Sequence, residues 1–296
     1  MVSRSGPVAG ARRRARRPRV VSLVGAALAA LLLASACGGD GDSGSAGGAP
    51  ANQPAGVRLV KPGKLTTCTN LPYPPFQSKE GGKVVGFDVE MIDLVAKKLG
   101  VTQEFVDIDF DAIKGGTALN GGRCDVAAAG MTITDERKQN LDFSNPYFDE
   151  YLAIMTKKGA GVKTLDDAKA KDLGLGVQAA TTNLDHAKSE GFDPKQYKDS
   201  GKLLLALQSG QVDLVLQDLP VVNTWLKNPD IAAKFELAGQ VNTGAQYGFA
   251  VKKGGNPDLL KAINDALATA IKDGTWTRTY QKWMGSEPAS TPSPSA

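Results

Sequence analysis

Arg137 lies in the run Asp135, Glu136, Arg137, Lys138. A guanidinium can give two parallel charge-assisted hydrogen bonds to a carboxylate, so Arg137 could clamp an acid. By spacing alone, a solvated surface residue is the stronger reading of that run. Asp218 could pair with an ammonium, or merely cap the helix expected from Leu219. Thr181 and Thr182 open another expected helix; its free N–H groups would favour an anion, unless the threonines serve only as caps. Taken together, a cation, anchored donors and an anion suit the two charged ends of a small zwitterion. Covalent chemistry has less support. His186, the only histidine, falls within an expected helix and reads as a solvated group. Paired metal ligands, a nucleophile elbow and a phosphate loop are all missing from the sequence, so neither a metal nor a cofactor is expected.

The elements that would position these groups alternate between strand and helix. Residues 64–70 read as a strand, 87–99 as a helix, 102–108 as a strand, 110–119 as a helix and 125–130 as a strand. The helix at 87–99 is the clearest, with Met91, Leu94, Val95 and Leu99 on one face and Gly100 where a C-terminal cap belongs. A second series follows: strand 173–178, helices 182–189 and 202–209, strand 212–216 and helix 219–226. Such order implies parallel sheets covered by helices. Two α/β lobes are expected, joined by a strand leaving at 151–156 and another returning at 247–251, with a cleft between them. Asn256 and Pro257 look like the start of a helix running to 271, and a last helix is expected at 276–283.

The ends of the chain point to export. Seven arginines precede an uncharged apolar run from Val20 to Leu33, followed by Ala34, Ser35, Ala36 and Cys37. That is the layout of a secretory signal over residues 1–36. Its apolar run is shorter than the roughly 20 residues of a membrane-spanning helix. Small residues before Cys37 resemble a lipobox, in which Cys37 carries lipid; the other reading is an ordinary cleavage site beside an incidental cysteine. Residues 37–56 then form a flexible tether, rich in glycine at its start. Removing residues 1–36 takes the formal charge from +4 to −3, which makes nucleic acid an unexpected partner. An oxidising exterior would let the two remaining cysteines, Cys68 and Cys124, pair; two buried free thiols are the alternative. The tail at 287–296 is expected to be disordered.

Gly86, Phe87, Asp88, Val89, Glu90, Met91, then Val95, Ala96 and Leu99, resemble the signature of the polar amino acid family of extracellular solute-binding proteins, the receptors of ABC importers. Further pieces resemble that family in the same order: Pro72 to Phe76, Gly130 to Arg137, Phe143 to Tyr147, Gln178 to Thr182, and the pair Gln217, Asp218. The resemblance implies a two-lobed periplasmic-binding-protein-like fold, with lobe 1 at 57–151 plus 248–286 and lobe 2 at 152–247. It implies a free amino acid as ligand, polar or acidic because Asn70 stands where some relatives with basic ligands carry an acid. The permease subunits of an ABC transporter would be its partner, and it would act as a monomer on the outer face of the cytoplasmic membrane, anchored through Cys37. By the same resemblance Arg137, Thr132 and the backbone at Gly130 hold the ligand carboxylate with Thr181 and Thr182. Asp218 takes the ammonium, and Tyr73 and Phe110 form apolar walls. The rivals are a dehydratase-like enzyme on the same scaffold, which would need a poised acid or base in the cleft, and a ligand-sensing subunit of a membrane receptor.

Overall fold

The computed structural model describes residues 56–292. The expected export segment, Cys37 and the linker through residue 55 lie outside the described residues. The chain begins with β1 (Lys64–Thr69), the hairpin β2 (Ser78–Glu80) and β3 (Lys83–Val85), α1 (Phe87–Lys98) and β4 (Thr102–Asp107). Then come α2 (Phe110–Lys114), α3 (Thr117–Asn120), β5 (Val126–Ala127), α4 (Asp135–Lys138), β6 (Leu141–Phe143) and the long β7 (Phe148–Lys157). The middle of the chain holds α5 (Leu165–Ala170), β8 (Leu175–Gln178), α6 (Thr182–Ser189), β9 (Lys195–Tyr197), α7 (Ser200–Ser209), β10 (Leu214–Asp218), α8 (Leu219–Leu226) and α9 (Pro229–Ala232). It returns through β11 (Phe235–Tyr247) and β12 (Ala250–Lys252) to α10 (Pro257–Lys272) and α11 (Thr275–Met284).

Two five-stranded sheets result, ordered β4-β1-β5-β12-β6 and β11-β7-β10-β8-β9. β1 pairs in parallel with β4 and β5, and β8 with β9 and β10, as the alternating order requires. The sheets are nevertheless mixed rather than wholly parallel, because β12 is antiparallel to β5 and β6, and β7 to β10 and β11. The returning strand also begins earlier than expected. β11 pairs along nearly the whole of β7, so the two crossing strands satisfy each other's backbone before β12 enters the first sheet. The single helix expected at 110–119 is two, separated at Gly116, whose φ is +77° and where a Cβ would stand 2.9 Å from the Asn140 carbonyl oxygen.

The main core gathers Met91, Ile92, Val95 and Ala96 of α1 with Leu259, Ile263 and Leu267 of α10. Each of these side chains except that of Ala96 favours folding by about 1.5–3 kcal/mol when fully buried. Trp276 seals this layer and donates from Nε1 to the Tyr147 carbonyl at 3.0 Å. Cys68 and Cys124 are joined by a disulfide within a second cluster, and the closed loop restricts the unfolded chain. At the other end the tail differs from expectation as far as it is described. Ser290 donates to Asp149 Oδ2 at 3.3 Å and Pro292 is buried, and Pro288, Ala289 and Pro292 border one groove together with Phe148, Trp276 and Tyr280. Among the described residues no helix is long and apolar enough to cross a membrane.

Gly86, at φ +143°, lets the start of α1 lie against Phe76; a Cβ there would come within 2.1 Å of the Phe76 carbonyl oxygen. That approach buries Asp88 completely. Its carboxylate accepts from Gly130 N and from the Tyr147 hydroxyl, each at 2.8 Å. Burial pushes the Asp88 carboxyl up to about 7, although both hydrogen bonds pull it down. Because this lies above the unfolded value of about 3.9, the native state keeps a proton that the unfolded chain loses. The stabilisation tied to that proton is complete at low pH and is lost as pH rises from about 4 to about 7, by up to about 1.4 kcal/mol per unit. In urea titrations, the wild type should therefore gain stability relative to Asp88→Asn on going from pH 8 to pH 5. A difference that stays flat would place the proton elsewhere.

Candidate functional site

The carboxyl ends of the central strands converge on one cleft, the usual crevice of open α/β sheets. Asn70 and Tyr73 follow β1, Gly130 and Thr132 follow β5, Thr181 and Thr182 follow β8, and Asp218 ends β10. Phe110 opens α2 and Arg137 sits in α4. Tyr73, Phe110, Gly130, Thr132, Arg137, Thr181, Thr182 and Asp218 all line a single cavity. The lobes are closed over it. Gln178 Nε2 donates to Asn70 Oδ1 at 2.9 Å, Tyr73 donates to Asp218, and Lys198 pairs with Asp109 at 2.8 Å. The remaining volume is about 20 Å³, space for about one water-sized group, so any larger solute must enter by parting the lobes.

Arg137 is buried, at 4 % exposure, which removes the surface reading. Thr134 caps α4 by accepting from Arg137 N at 3.2 Å, and this short helix aims the side chain inward. Nη1 donates to the Thr132 carbonyl at 2.8 Å and Nη2 to the Ala180 carbonyl at 3.5 Å. The guanidinium carbon stands 5.4 Å from the centre of the Phe110 ring, so Phe110 contributes a cation–π face as well as a wall. Burial lowers the guanidinium pKa, and the charges of Glu150, Asp185, Glu136 and Asp218 oppose the shift. Ala180 holds φ at +65°, a conformation costly for a residue with a Cβ. Thr181 follows as the N-cap of α6, donating to the Gln178 carbonyl at 2.7 Å and accepting from Leu184 N at 3.3 Å, which leaves the N–H groups of Thr182 and Asn183 without helical partners.

Asp218 faces Arg137 from the second sheet and is also buried. It makes no capping bond to α8. Its Oδ2 accepts from the hydroxyls of Tyr73 and Tyr247, and its Oδ1 from Asn183 Nδ2 at 3.1 Å. Burial and the nearby Glu150 charge push the Asp218 carboxyl up to about 6, while the bonds from Tyr247, Tyr73 and Asn183 hold it down. Gly130 takes φ +54°, and a Cβ there would lie 2.9 Å from Tyr73 Cε1, so only glycine lets the backbone border the cleft.

Sequence reasoning did not assign Asn183, Tyr247 or Glu150 to the site. Glu150 is 2 % exposed and lies in a run of β7 that is otherwise largely apolar. Asp149 beside it is also an acid, so no signal in the sequence singled out Glu150. Gln178 lines the cavity with a buried Oε1 that has no hydrogen-bond partner among the described residues. Among those residues no cluster of metal-ligating side chains occurs.

The family description "Bacterial extracellular solute-binding proteins, family 3" matches residues 65–286. The chain is 35% identical over 219 residues to the L-cystine-binding protein TcyJ of Escherichia coli (strain K12), covering 73% of this chain and 80% of that protein. Its fold is similar to an ancestral arginine-binding protein bound to arginine, with a TM-score of 0.68, 42% identity, and coverage of 75% of this chain and 98% of that one. An ancestral arginine-binding protein bound to glutamine gives a TM-score of 0.70 at 42% identity, covering 76% of this chain and 99% of that one. These likenesses give the two lobes their architectural type, the two-lobed periplasmic-binding-protein-like α/β fold.

Removing one donor from a buried carboxylate disfavours its charged form. Tyr247→Phe should thus raise the Asp218 pKa above about 6, read by NMR titration of the carboxyl carbon. An unchanged or lower value would mean that Tyr247 does not hold that carboxylate in solution.

Proposed function

The chain belongs to the bacterial extracellular solute-binding proteins, family 3, and on that premise we propose that it captures a free amino acid outside the cytoplasmic membrane and delivers it to the permease of an ABC importer. Membership makes it a binding protein rather than an enzyme. The supporting observation is the placement of Arg137 and Asp218, one from each lobe, on a single closed cleft. The α-carboxylate meets the Arg137 guanidinium and the free N–H groups of Thr182 and Asn183 at the start of α6. The ammonium meets Asp218 and the Gly130 carbonyl; the carboxylate role expected of the Gly130 backbone is given up because its N–H already donates to Asp88. Tyr73 and Phe110 flank the ligand, which stabilises closure because it touches both lobes only when they are together.

The side-chain end of the site has a defined polarity. The Ile108 carbonyl can only accept, so it takes Asn70 Nδ2 at 2.9 Å; this turns Asn70 Oδ1 toward Gln178 Nε2. Gln178 Oε1 is left as an acceptor. A ligand side chain ending in a hydrogen-bond donor, such as an amide or a guanidinium, suits it, and an ionised acid does not. The polar half of the expected preference is kept, the acidic half is dropped, and a basic side chain, which Asn70 was expected to disfavour, is admitted because the unpartnered Gln178 Oε1 accepts from any donor.

Export by a signal at 1–36, lipid on Cys37, a tether over 37–56, and lobes bounded at 57–151 plus 248–286 and at 152–247 complete the proposal. Lipidation would keep a monomeric receptor beside its transporter.

Calorimetry of the mature domain against the free amino acids tests the reading, with L-glutamine and L-arginine expected to bind and L-glutamate not. A wild type that binds no free amino acid would end it. Arg137→Ala should weaken binding by about 1.5–3 kcal/mol or more, the range for hydrogen bonds to a charged group. Affinity should also fall by up to about tenfold per pH unit below about 6, because the ammonium requires ionised Asp218.

A further inference from the structure

Glu150 lies on the crossing strand β7 and does not line the ligand cleft. It borders an adjoining cavity of about 320 Å³, which shares Thr132, Arg137 and Thr182 with that cleft. Its Oε1 accepts from the hydroxyl of Thr132 in the first lobe and from that of Thr182 in the second, the latter at 3.0 Å. Its Oε2 accepts from Thr243 Oγ1 on β11 at 2.7 Å. One buried carboxylate therefore gathers hydroxyls from both lobes and from the second crossing strand.

A threonine hydroxyl has one proton and two acceptor lone pairs, and an ionised carboxylate can only accept. Thr132 and Thr182 each spend that proton on Glu150. Toward the cleft they can offer only lone pairs, and the 3.3 Å separation of their oxygens keeps the two together. Neither hydroxyl is then free to donate to a ligand carboxylate. This reverses the part expected of Thr132.

Resting on the amino acid reading above, we propose that Glu150 is a positioning residue that clasps the two lobes through Thr132 and Thr182 and turns the Thr132 hydroxyl into an acceptor for the ligand ammonium. An ammonium has three donors. Asp218, the Gly130 backbone and Thr132 Oγ1 supply three acceptors, which leaves the carboxylate to Arg137 and the start of α6. Glutamine at 150 can reproduce the arrangement, since its carbonyl accepts from both threonines and its amide donates to Thr243. Alanine cannot.

Affinities for L-glutamine and L-arginine, measured by calorimetry in Glu150→Gln, Glu150→Ala, Thr132→Val and the Glu150→Ala/Thr132→Val double variant, test this. Glu150→Gln should stay within about threefold of the wild type, and Glu150→Ala should lose about tenfold or more, the factor that corresponds to about 1.4 kcal/mol. The double variant should be no more than about twofold weaker than the weaker single variant, because both changes remove one acceptor. A purely structural role would lower the melting temperature and leave the two losses additive. Additive losses, a Glu150→Ala protein that binds normally, or Gln and Ala variants equally impaired would each overturn the proposal. If the wild type bound neither probe, the functional reading would fail separately, and small-angle scattering without ligand would decide the clasp. Glu150→Ala should then be more expanded than wild type and Glu150→Gln, and equal dimensions would refute it.

Discussion

The structure depends on keeping three charged side chains, Arg137, Glu150 and Asp218, out of water at the seam between two sheets. An isolated buried charge is very costly, so each must be compensated. Here the compensation comes from neutral dipoles. Arg137 is held by two backbone carbonyls, Asp218 by two phenols and an amide, and Glu150 by three threonine hydroxyls. Dipoles of this kind can be exchanged for the ends of a zwitterion with little change in the net charge of the site. A direct Arg137 to Asp218 ion pair would instead have to be broken before a ligand could enter.

The crossing strands take part in the site as well as linking the lobes. Glu150 belongs to β7, and Tyr247, which donates to Asp218, ends β11. Opening the cleft thus disturbs the hydrogen bonds of both carboxylates. The pairing of β7 with β11 is interrupted by register shifts between Leu237 and Gly239 and between Asn242 and Gln246. Such irregularities are natural places for a strand pair to bend.

Local backbone conformation is unusual where the site needs it. Gly130 and Ala180 both hold positive φ, one beside Tyr73 and the other presenting its carbonyl to Arg137. Alanine gains nothing from that conformation by itself. Its position is imposed by the turn between β8 and α6, which has to deliver Thr181 as a cap and leave the first N–H groups of α6 facing the cleft.

Local pattern was enough to determine much of this protein. α6 and α8 span the residues expected of them, and α1 and α10 nearly so, because caps and apolar spacing are properties of neighbouring residues. The residue types that could meet the two ends of a zwitterion were legible as candidates for the same reason. Only the tertiary structure decided whether Arg137 was a surface residue or a buried cation, whether Asp218 capped a helix or met Tyr73 across 145 residues, and which way the Thr132 hydroxyl points. Burial and hydrogen-bond direction depend on groups brought together by the closing of two lobes, and no short window of sequence contains both partners.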